Sequence, residues 1–154
     1  MMHDGLLEIA ARLTQLDQGR PRRTSLRRAI SSAYYAVFHA LAGLCANQLV
    51  GFSKDWDFYV PIYRTLDHAR AKEVFKRISG KHGSQIAFIG QTFTLLQERR
   101  HTADYDPSPF PLGRAETLDL IEQAKQAVTR IQMLTDDERL LMATQLIART
   151  RPGS

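Results

Sequence analysis

Two short stretches of this 154-residue chain carry residues that could do chemistry. The first holds Arg28, Ser32, Tyr35 and His39. Stepped at about 100° per residue, these four fall within about 60° of one another on a helix, a stripe of one cation, two hydroxyls and one imidazole. The second runs from Glu98 to Asp106, where Arg100 projects on the face of Phe93 and Leu96 and Asp104 lies one turn further on. An arginine aimed at a core is kept there by a carboxylate. Arg100 and Asp104, with Arg28 and Tyr35, therefore read either as a salt-bridged network that fixes helix packing or as the lining of a ligand site.

Charge is concentrated beside the first stretch. Five of the nine residues from Arg20 to Arg28 are arginine, at the start of the helix that carries the stripe. The helix dipole disfavours cations there, whereas free N–H groups and guanidinium forks suit phosphate or carboxylate. A solvated basic loop is the alternative, because the net charge of +5, from 21 Lys and Arg against 16 Asp and Glu, is a moderate excess.

Other constellations are incomplete. Glu98-x-x-His101 is half of a carboxylate di-iron motif without a second copy, and His39, His101 and Asp104 stand singly on helix faces, so neither a metal nor a cofactor is expected. There is no phosphate-cradling glycine loop, nucleophile elbow or zinc-protease signature. Trp56, Phe58, Tyr59 and Tyr63 are interleaved with acids, which suits a core or a dimer surface better than base stacking. Cys45, the single cysteine, excludes an internal disulfide and reads as a small core side chain.

The elements that must position these residues are helical. Periodicity predicts a first helix over Gly5–Asp17, then a central one around Arg27–Asn47, capped by Thr24 or Ser25 and ending near Leu49 to Gly51. A third starts at Pro61 and continues to Ser79, a fourth covers Ser84–Asp104 with Gly90 marking a close crossing, and a fifth runs through Leu118, Ile121, Ala124, Val128, Ile131 and Leu134. The sequence from Thr135 to Glu138 is a capping box that opens a sixth. Nothing alternates at period two, so the fold class is all-α: one up-and-down bundle over residues 1–150, with helices two to five as core, short helices at either end, the sixth an appendage, and a disordered tail over 151–154. No apolar run approaches the roughly 18 residues of a membrane span, and Asp4 and Glu8 stand where a secretory signal would be positive, so a cytoplasmic location without membrane contact is expected.

The residues Arg28, Ser32, Tyr34, Tyr35, Ala36, Phe38 and His39, followed by Arg100-His-x-Ala-Asp-Tyr-Asp106, resemble the HEPN superfamily in its small stand-alone bacterial form. The resemblance covers helices two to five. It implies an all-α bundle, a homodimer, and a place beside a minimal nucleotidyltransferase partner or in a toxin–antitoxin system. Ribonuclease members of that superfamily carry an Arg followed after four to six residues by a His. Here Asp104 stands where that His would be, and His101 follows Arg100 immediately. The implied function is thus a binding or regulatory module for nucleotide or RNA, contacting Arg28, Ser32, Tyr35, His39, Arg99, Arg100, Asp104 and Tyr105. Two alternatives stand beside it. One is a metal-independent ribonuclease toxin using Arg100 with His39 or His101 as acid/base, and the other a purely structural protein-interaction subunit.

Overall fold

A computed structural model of the chain describes residues 1–148. Among them are seven helices and no strand: α1 (Met2–Gln15), α2 (Arg23–Leu49), α3 (Trp56–Tyr63), α4 (His68–Ile78), α5 (Ser84–Tyr105), α6 (Arg114–Met133) and α7 (Asp136–Ile147). The expected all-α bundle is what forms, and the tail expected over 151–154 lies outside the described residues.

The longest breaker-poor stretch becomes α2, and the bundle is built around it. Leu26, Ile30, Tyr34, Val37, Leu41 and Leu44 are buried on one face, and Ala29, Ala33, Ala36 and Ala40 on the adjoining flank. Small side chains on that flank let neighbouring backbones come close. α1 lies along α2 most extensively, and α6, α5, α7 and α3 cover the remainder. By length and composition α2 could cross a membrane, contrary to the expectation that no segment could. However, 72% of its most apolar window is buried inside the bundle, as a core helix requires.

Two places differ from the sequence reading, each for a local reason. The helix expected from Pro61 to Ser79 is two helices, with Pro61 inside α3 and a break at residues 64–67. Asp67 ends the break by accepting a hydrogen bond from the Arg70 N–H at 2.9 Å, a side-chain cap that starts α4 afresh. α2 starts without a side-chain cap of its own. Instead the Asp17 carboxylate, from the preceding turn, accepts from the Arg22 N–H at 2.9 Å and from the Ser25 hydroxyl at 3.3 Å. An internal anion therefore occupies the positive end of the α2 dipole.

The final helix, α7, is no appendage. Thr135 and Glu138 form the expected capping box, which aims Met142, Ala143 and Leu146 into the core, where all three are buried against α2 and α4. The expected close crossing at Gly90 is present: a Cβ there would stand 2.8 Å from Phe75 Cδ1. Two substitutions test this packing in urea denaturation. Met142→Ala should cost about 2–5 kcal/mol, an effect an appended helix would not show. Gly90→Ala should cost about 1–3 kcal/mol by overpacking the α4–α5 crossing.

Candidate functional site

Arg100, near the end of α5, is the centre of the polar corner that the structure assembles. Its side chain is only 12% exposed, and Nη1 lies 3.7 Å from Asp104 Oδ2, one turn along the same helix. Aromatic rings surround the guanidinium, with centroids 4.9 Å away at Tyr34, 5.8 Å at Tyr35 and 5.9 Å at Tyr105. The Nε is buried and has no hydrogen-bond partner among the described residues. Asp104 also accepts from the Ser31 hydroxyl at 3.4 Å. Ser31 thus makes the bond on α2 that spacing alone would give to Ser32.

His68 completes the corner. As the first residue of α4 it stacks on Phe38, with centroids 4.0 Å apart and planes 14° from parallel, and its Nδ1 meets the Tyr34 hydroxyl at 2.5 Å. Its backbone carbonyl accepts from Gln97 Nε2 at 3.0 Å, which ties α4 to α5. Burial first, then the Arg100 charge, holds this imidazole below its ordinary pKa, against a smaller opposing pull from Asp67. Neutral imidazole is therefore the resting form near pH 7. Burial likewise raises the Tyr34 phenol above its ordinary value.

Not every residue of the expected site reaches this corner. Arg100, Asp104, Tyr35 and Tyr105 are brought together. Arg28 and Arg99 are exposed, and Ser32 is half-buried. His101 is exposed with its ring 5.1 Å from that of Tyr105. His39, one turn beyond Tyr35, turns to another neighbour: its Nδ1 and the Tyr63 hydroxyl share a hydrogen bond of 2.6 Å, and the two rings stack. Burial and then the nearby His3 lower its pKa. The stripe read from the sequence is therefore divided between two environments.

His68 and Tyr34 were the residues that sequence reasoning missed. Tyr34 falls on the apolar face, where a phenol ring counts as hydrophobic, yet a buried hydroxyl needs a partner. His68 was hidden inside the single helix expected from Pro61, although Asp67 before it carried the capping signal. Burial pushes the Cys45 thiol up to about 12, so it is not a nucleophile near neutral pH. Among the described residues no three His, Cys, Asp or Glu side chains gather in a metal-binding group.

His3, His39 and His68 all have folded pKa values below the ordinary histidine value, which fixes the sign of a pH effect. Below about pH 6.5 the unfolded chain takes up protons that the folded chain refuses. Their contribution to stability is complete above that pH and is lost as the pH falls from it through the lowered folded values. Urea midpoints should therefore drop between pH 7.5 and pH 5. His68→Gln should flatten part of that slope, and a slope unchanged by the substitution would remove His68 from the account.

No family model matches the chain, and no curated protein and no solved structure matches it.

Proposed function

We propose that the chain is a HEPN-like binding module that takes the phosphate of a nucleotide or of RNA at the Arg100 corner. On this reading it works in the cytoplasm as a homodimer, within a toxin–antitoxin or nucleotidyltransferase-associated system. The observation that carries the proposal is the under-bonded guanidinium of Arg100. It is nearly buried, its Nε has no partner, and its carboxylate stands at 3.7 Å, longer than a hydrogen bond. A phosphate oxygen would supply the charge-assisted bonds that Asp104 leaves unmade. Tyr35 and the exposed Tyr105 offer ring faces for a base, and Arg28 and Arg99 stand exposed for further phosphates.

The test is binding of a short single-stranded RNA and of ATP at 50 and 250 mM salt. Affinity for RNA should fall with salt, and Arg100→Gln should weaken both ligands about tenfold or more, while Arg28→Ala and Arg99→Ala lower chiefly the salt slope for RNA. Absence of salt-sensitive binding to either ligand would sink the reading.

One observation favours a second reading, a metal-independent ribonuclease. His68, a neutral imidazole bonded to Tyr34 beside Arg100, has the protonation state that a general base for a 2′-hydroxyl needs. It replaces His39 and His101 as the candidate acid/base in that scheme. Cleavage of RNA in excess EDTA, abolished by His68→Ala and retained in His101→Ala, would establish this activity, and an inert wild type would exclude it.

A further inference from the structure

A separate cavity of about 320 Å³ opens between α2, the start of α1 and the α6–α7 corner. Its volume is in the range of small-molecule sites. Ala40, Leu44, Ile131 and Phe52 give it an apolar wall, and the hydrogen-bonded pair of His39 and Tyr63 forms a polar edge.

Gly43 is the residue that leaves the space open. Glycine in the middle of a helix destabilises it relative to alanine, so an interior glycine calls for a reason. At Gly90 the reason is packing, since a Cβ would collide with Phe75. At Gly43 packing gives none: a Cβ would meet only the edge of the Tyr63 ring, at 3.9 Å, an ordinary contact. The missing side chain enlarges the cavity.

The geometry points to this cavity as a binding site for a small organic acid with an apolar or aromatic body. Two observations select that chemistry. Among the described residues no carboxylate lines the cavity, so nothing in the lining favours a cation. Arg139 stands in the lining with its guanidinium held in place by the carbonyls of Leu134 and Gln132, a fixed positive charge for an anionic head. His3, only 6% exposed, also lines it, and its buried Nδ1 makes no hydrogen bond, the exposed Asp4 carboxylate lying 3.4 Å away outside bonding geometry.

Calorimetric titration of the full chain with 2-naphthoate, octanoate and the uncharged 2-naphthalenemethanol tests the proposal. The acids should bind saturably at one site, the alcohol about tenfold more weakly, and Gly43→Leu should weaken 2-naphthoate about tenfold or more while the helical circular-dichroism signal is kept. Should Gly43→Leu fail to fold, Gly43→Ala decides, with weaker 2-naphthoate binding expected. The proposal is overturned if neither acid binds, if the alcohol binds as tightly as the acids, or if the folded Gly43 variant binds 2-naphthoate as the wild type does.

Discussion

The enclosure of α2 is the constraint on which the rest of the structure depends. A 27-residue helix covered by α1, α3, α5, α6 and α7 has little solvent for the polar side chains on its covered faces, so these are matched by groups on neighbouring elements. Ser25 finds Asp17, Ser31 finds Asp104, Tyr34 finds His68, His39 finds Tyr63, and Asn47 accepts from Tyr59 at 2.7 Å. These bonds reach α3, α4, α5 and the turn after α1. They set the rotation of α2 more sharply than its apolar face could, because methyl groups tolerate sliding that a hydrogen bond does not.

The basic excess is largely spent on architecture. Four arginines donate to carbonyl groups at or just beyond the C-termini of helices, where the dipole also favours a cation. Arg27 donates to Thr102, Ala103 and Asp106 at the end of α5, and on to Ser108, with Phe110 under its guanidinium. Arg114 does the same for Thr14, Asp17 and Gly19 after α1. Arg139 closes α6, and Arg70 reaches Leu146 near the end of α7. The Pro-rich segment after α5 is consequently held by one side chain from α2, since prolines leave it few backbone donors of its own. With Asp17 already at the N-terminus of α2, the arginine-rich start of that helix is a weaker candidate for an anion than the Arg100 corner.

The polar stripe is divided along α2. Tyr35 and His39 are one turn apart on α2, yet one faces a buried arginine and the other a cavity with an apolar wall. Under the two proposals made above, the first environment would take a phosphate and the second an apolar acid.

The sequence by itself determined the helices other than α3 and α4, most of their core faces, the capping box at Thr135, and the nearness of Arg100 to Asp104. All of these are local: a repeat of 3.6 residues, a cap four residues long, a pair one turn apart. Tertiary structure decided the remainder. Whether Tyr34 is a core ring or a hydrogen-bond donor depends on where α4 starts, and that depends on Asp67 capping after a break that Pro61 had suggested would not exist. Whether His39 joins Arg100 or Tyr63 depends on which side of α2 is covered by α3. No spacing along one helix contains that information, because a helix defines the angle between its own side chains and says nothing of what stands opposite them.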